Sequence, residues 1–194
     1  MARCERDLAA SGDRRRSDHG SRLVGDIAGV WALRPTVSSD EEFLWTVLFY
    51  ASHSNDEPGV AVQDLRDDPD LVGYIEGWKT LGRVGVIADS KHGTIGAAWL
   101  RELGDADRTN PVFVDPQTPE LAMAVLPGQE GMGIGTAMLN ALSGMAQGRF
   151  PAIVLSARRD NPAVGLYERA GFVTVGEITN RVGSRSVRMV LGSG

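Results

Sequence analysis

The sequence predicts a mixed α/β fold: a mostly antiparallel, twisted sheet of six to seven strands with one central parallel pair, flanked by about four helices. Three observations carry that prediction. β-like runs stand both before and after helical periodicities, and short polar turns at 89–93 and 180–184 join such runs into hairpins. In the middle, residues 120–147 read strand, glycine turn and helix in immediate succession. The 194 residues suit one domain with a sizeable core and leave little room for a second.

Taken in order, residues 1–28 are rich in Arg, Asp, Ser and Gly, with a charged run at Arg14, Arg15 and Arg16. This stretch reads as a disordered extension, and residues 29–194 as the single domain. Asp7, Asp13, Asp18 and Asp26 dilute the basic charge, which argues against a nucleic-acid arm. Residues 30–37 (VWALRPTV) alternate as a first strand. Ser38 or Ser39, followed by Asp40, Glu41 and Glu42, reads as an N-cap with acids in the first turn. Phe43, Leu44, Val47, Leu48 and Ala51 then mark a helix, and a second is expected from Gly59, bent around Pro69, burying Val62, Leu65, Leu71, Val72 and Ile75. Residues 83–88 and 94–103 form a hairpin that leaves His92 in its turn. The long polar segment 104–119 has the character of a loop beside a binding site.

Residues 120–125 suit a buried strand, and Met138, Leu139, Leu142, Met145 and Ala146 share one helix face. Residues 152–157 have the composition of a central strand. Asn161 and Pro162 open a helix carrying Val164, Leu166, Tyr167 and Ala170, which stops at Gly171. Two further strands follow at 172–178 and 186–191.

Composition excludes several functions. There is no apolar run of the length a membrane helix requires, and the N-terminus has no apolar signal core. A net charge of −5 gives no footprint for nucleic acid and leans toward a cationic substrate. The single cysteine, Cys4, forms no internal disulfide, and a cytoplasmic location is the default. His19, His53 and His92 are scattered without metal-ligand spacing, so no metal site is expected.

The chemistry concentrates at Gly131, Gly133 and Gly135. Alternating glycines let a backbone approach a ligand closely, and the helix that follows presents unpaired N–H groups at the positive end of its dipole. An anion is the expected guest, a phosphate above all. A Walker A loop needs Lys and then Ser or Thr after the last glycine, which is absent; the G-x-G-x-x-G dinucleotide fingerprint does not fit either. The pattern of Val125, Pro127, Gly131, Gly133, Gly135 and Leu139, with the downstream segment 160–172 (DNPAVGLYERAGF), resembles the GCN5-related N-acetyltransferase (GNAT) superfamily.

That resemblance implies an acetyl-CoA-dependent N-acetyltransferase, with acetyl-CoA as co-substrate and no metal. The central parallel strands would splay apart. The backbone of Met123, Ala124 and Val125 would pair with the pantetheine arm, and Gly131, Met132, Gly133, Ile134, Gly135 and Thr136 would hold the pyrophosphate. Tyr167 matches the family's general acid, against the plainer reading of a residue packing helix on sheet. Asn161 matches a cofactor contact, or is simply a helix cap. Glu120 reads either as a base acting through water or as a charged strand end facing solvent. Ser156 stands where some members carry a glutamate. Glu130 replaces the usual Gln or Arg, an unfavourable charge beside a pyrophosphate unless it turns outward. The acceptor would be a small-molecule or peptide amine, and a homodimer is common among similar proteins. A non-catalytic acyl-CoA-binding module on the same fold is the alternative.

Overall fold

The computed structural model describes residues 30–78 and 83–192. The extension read over 1–28, with Cys4 and His19, lies outside the described residues. Seven strands form one sheet: β1 (Trp31–Pro35), β2 (Gly85–Ser90), β3 (Gly93–Arg101), β4 (Glu120–Val125), β5 (Ala152–Arg158), β6 (Val173–Thr179) and β7 (Arg185–Gly192). The α-helices are α1 (Glu41–Ala51), α2 (Ile134–Ala146) and α3 (Val164–Arg169).

The sheet order is β1-β2-β3-β4-β5-β7-β6. Every neighbouring pair is antiparallel except β4 and β5. On its β3 side β4 is paired along its whole length, from Arg101 opposite Glu120 to Gly96 opposite Val125. On its β5 side one register pair holds, Glu120 with Val154, supported by Val154 N–H donating to Pro119 O at 2.9 Å. Beyond that point the two parallel strands separate, as the resemblance implies. The gap leaves one side of β4 without a strand partner.

Side-chain alternation on β2 and β3 divides the core between the two faces of the sheet. Val86, Ala88, Ala98 and Leu100 join Met138, Leu139 and Leu142 of α2 in one cluster. Ile87, Ala97 and Trp99 join Leu44, Trp45, Val47 and Leu48 of α1 in the other. Gly96 lets α2 come close, because a Cβ there would stand 3.1 Å from Ala124 O and 3.3 Å from Met138 Cε.

Two local expectations are corrected. No serine caps α1; the Asp40 carboxylate accepts the Val37 N–H at 2.8 Å and a bidentate grip from Arg34 at 2.7 and 2.8 Å. A buried carboxylate that gathers three donors outcompetes a serine hydroxyl there. The second helix is not an α-helix but separate 3-10 turns at Val62–Arg66 and Val72–Tyr74. Pro69 cannot donate, and the acids around it bind local backbone, with Asp70 N–H donating to Asp68 Oδ1 at 2.8 Å. Of the apolar residues expected inside, Leu65, Leu71 and Ile75 are buried, while Val62 and Val72 are half-buried against the same cluster. His92 is exposed in the β2-β3 turn, and Val112 folds the long loop down onto Leu103 and Val154.

Candidate active site

The turn before α2 is built by left-handed backbone. Gly128, Gly131 and Gly133 all have φ between 76° and 80°, a conformation that side chains with a Cβ adopt only with strain. Gly133 is the N-cap of α2, and the first main-chain bond of the helix runs from Ala137 N–H to Gly133 O at 3.0 Å. The N–H groups of Ile134, Gly135 and Thr136 therefore precede the helical ladder and remain available. Gly131 is open, with nothing within 4 Å of a Cβ placed on it. Gly135 is where α2 meets α3, since a Cβ placed on it would stand 3.4 Å from Leu166 Cδ1. Glu130 lines the cavity, and its carboxylate accepts Gly128 N–H at 2.8 Å within the turn.

This turn forms one end of a cavity of about 1270 Å³ that passes through the gap between β4 and β5. Met123, Ala124, Val125, Gly131, Gly133, Ile134, Gly135, Thr136, Asn161 and Tyr167 all line it, as does Glu120. Met132 is half-buried against the α2 core. The volume exceeds the roughly 300–1,000 Å³ of a pocket for one drug-sized ligand. Leu48, His53, Leu71 and Tyr74 add walls from the α1 face, so the cavity is reached from both sides of the sheet.

Glu120 lies at the base of the gap, where the parallel strands still touch. It is 2% exposed, which rules out the solvent-facing strand end. Burial pushes its carboxyl up to about 6, with Asp107 adding to the rise, against opposing contributions from the Tyr74 hydroxyl and the Arg101 charge. Arg101 sits directly across the β3-β4 register. Its guanidinium stacks 4.6 Å from the Tyr74 ring centre, donates to Asp107 at 2.7 Å and stands 3.8 Å from Glu120 Oε2. Arg101 Nη1 and Glu120 Oε2 are both buried without a hydrogen-bond partner. Leaving such groups unpaired costs about 1–3 kcal/mol each, so a polar guest between them would be strongly favoured. The same burial, reinforced by the Glu120 charge, drives the Tyr74 phenol well above its usual range.

Tyr167 packs α3 against the start of β6, its ring edge-on to Phe172 at 5.8 Å, and also reaches the cavity. Burial alone lifts its phenol to about 12, so it holds its proton throughout the neutral range. Asn161 does not cap α3, whose N-cap is Ala163; its Oδ1 accepts Ala163 N–H at 2.8 Å in the turn before the helix, while Nδ2 lies 3.3 Å from His53 Nε2. His53, at the end of α1, is the one non-glycine residue with positive φ among the described residues. Ser156 is exposed and lines the cavity without contributing a charge.

Tyr74, Arg101, Asp107 and His53 were not foreseen as site residues. The signal for Arg101 was a lone cation in an apolar strand, but its partner strand follows after a long loop, so the pairing with Glu120 was not readable. Among the described residues no group of three His, Cys, Asp or Glu side chains is placed to hold a metal ion, and no helix is long and apolar enough to cross a membrane.

Comparison with known proteins agrees with this architecture. The sequence profile of the acetyltransferase (GNAT) family matches residues 27–172. Among solved structures, yncA from Salmonella typhimurium, which holds its cofactor acetyl-CoA, superposes with a TM-score of 0.62 at 18% identity, covering 85% of this chain and 95% of that one. The ribosomal-protein-alanine N-acetyltransferase of Brucella melitensis gives 0.61 at 17% identity, covering 82% and 98%. The aminoglycoside acetyltransferase AAC(6')-Ib, in complex with coenzyme A and kanamycin, gives 0.57 at 22% identity, covering 84% and 94%. At these identities the likeness is one of fold. No curated protein matches the chain by sequence.

Proposed function

The chain belongs to the acetyltransferase (GNAT) family, and from that premise we propose that it transfers an acetyl group from acetyl-CoA to a primary amine of a small molecule or peptide. The observation that carries this reading is the single cavity whose walls include both a glycine turn with available N–H groups and a buried carboxylate with one oxygen, Glu120 Oε2, lacking a hydrogen-bond partner.

The turn suits the co-substrate, because its glycines present main-chain donors where a side chain would otherwise stand. Gly131, Met132, Gly133, Ile134, Gly135 and Thr136 would hold the pyrophosphate. The free side of Met123, Ala124 and Val125 would pair with the pantetheine arm as an added strand does. Asn161 would flank that arm. When bound, acetyl-CoA supplies an activated thioester carbon.

The chain's own residues handle the protons. Glu120, ionised above about pH 6, accepts the proton of an incoming ammonium, directly or through a water bridging Oε2 and Arg101 Nη1. Tyr167 keeps a proton on its phenol oxygen for the departing sulfur. Arg101 and Tyr74 position Glu120 and preserve its charge.

A thiol-release assay with acetyl-CoA and a panel of amines tests the proposal. Free CoA appearing in step with an acetylated amine is the expected result. Tight CoA binding with no thiol released by any amine would instead mark the chain as a binding module.

A further inference from the structure

The two ends of the cavity differ in charge. On the α2/α3 side Arg169 lines the wall and pairs with no carboxylate among the described residues, and the one acid there, Glu130, accepts Gly128 N–H, so this end carries a free cation for an anionic guest. On the α1 side every lining guanidinium faces two acids. Arg101 has Asp107 at 2.7 Å and Glu120 at 3.8 Å. Arg158 has Asp56 at 2.9 Å and Asp160 at 3.3 Å. Arg181 is held by Glu57 and, at 3.4 Å, by Asp68. Asp70 also lines the cavity, exposed and without an ion pair among the described residues. A carboxylate-bearing acceptor would meet no free cation on this side and an excess of like charge, an arrangement that selects against such a partner. Glu120 Oε2, buried 3.8 Å from Arg101 Nη1 and without a hydrogen-bond partner, is an acceptor that the N–H of an amine can fill.

We propose that the acceptor is an amine with at least one further positive charge and no carboxylate, its reacting nitrogen at Glu120 and its second ammonium at Asp70. This rests on the acyl-transfer reading and narrows it from any amine to di- or polycationic ones. The acid-paired arginines do not serve as anion receptors; they hold the segments around 54–57, 68 and 107 against the far wall. Selectivity then comes from unneutralised charge, which salt screens at the exposed Asp70 more than at buried Glu120.

The test compares kcat/KM for a series of α,ω-diaminoalkanes with n-alkylamines and ω-amino acids of equal length, using the full chain and saturating acetyl-CoA. The diamine is expected to exceed the monoamine by about fivefold or more at the best length, the value of roughly 1 kcal/mol for one exposed ion pair. The ω-amino acid should be the poorest of the three. Asp70→Asn should bring the diamine-to-monoamine ratio toward unity, as should raised ionic strength. Equal use of all three compounds, or preference for the ω-amino acid, overturns the inference while leaving acyl transfer standing. A ratio that Asp70→Asn leaves intact overturns the assignment of Asp70. No thiol release with any amine, while CoA binds, removes the acyl-transfer reading and this inference with it.

Discussion

Replacing Glu120 by Gln should separate stability from activity, because the carboxylate proposed as base is costly to bury. Its carboxyl sits at about 6 in the folded chain against an ordinary 4.5. The sign follows from proton uptake: between those values the native state binds more protons than the unfolded one, so stability falls as pH rises through the window. A displacement of about 1.5 units corresponds to about 2 kcal/mol lost above pH 6 and none lost below pH 4.5. Gln keeps the shape without the charge. In a chain of this size that converts to a Tm about 4–8 °C above wild type at pH 7.5, with the two proteins converging at low pH. Activity should move the other way, by about a hundredfold or more in kcat/KM, the usual worth of a positioned base. The wild-type profile should rise with unit slope to a break near pH 6 and then level until the substrate ammonium itself deprotonates. The variant should show no break and climb steadily toward the substrate pKa, because only amine already neutral in solution can react. Calorimetric melts and thiol-release rates across pH measure both limbs. A variant that retains the break, or whose Tm relative to wild type falls as pH is raised, would refute the reasoning.

Other consequences follow from the same contacts. Asp107→Asn should move the acid break downward, since Asp107 raises the Glu120 carboxyl, and Tyr74→Phe should move it upward, since the hydroxyl lowers it; shifts in the same direction would contradict the assignment. Tyr167→Phe should lower kcat by about a hundredfold while holding Tm, because the ring packing on Phe172 is kept and burial alone raises the phenol, with no hydrogen-bond partner among the described residues. Leu142→Ala, at a fully buried α2 position, should cost about 2–5 kcal/mol in denaturant unfolding through the cavity it leaves.

Much of the fold was legible because local chemistry and global role agreed. The strand, glycine turn and helix of 120–147 carry their own punctuation, and α3 is bracketed by Asn161 and by Gly171 at φ 95°. The second helix failed because apolar spacing around Leu65, Leu71 and Ile75 was compatible with helix, while Pro69 and its acidic neighbours favoured short turns that bury the same residues. At the site, the glycine turn was readable as contiguous sequence. The acceptor end was not, since Tyr74, Arg101, Asp107 and Glu120 meet only through the β3-β4 register and the packing of a non-helical segment. Glu120 stood in view as a candidate, but its burial depends on that assembly and on no feature of its neighbours in the chain.

The central claim is that the left-handed turn at the start of α2 grips the diphosphate of CoA. Titration calorimetry of CoA into wild-type and Gly133→Val protein tests it most directly. Valine at φ 76° costs the fold about 1–3 kcal/mol, which a melt measures, and it adds a branched side chain to the turn proposed to hold the diphosphate. The account predicts that the variant stays folded and loses CoA affinity by about a hundredfold or more, about 2.7 kcal/mol. A folded variant that binds CoA as tightly as wild type would contradict it.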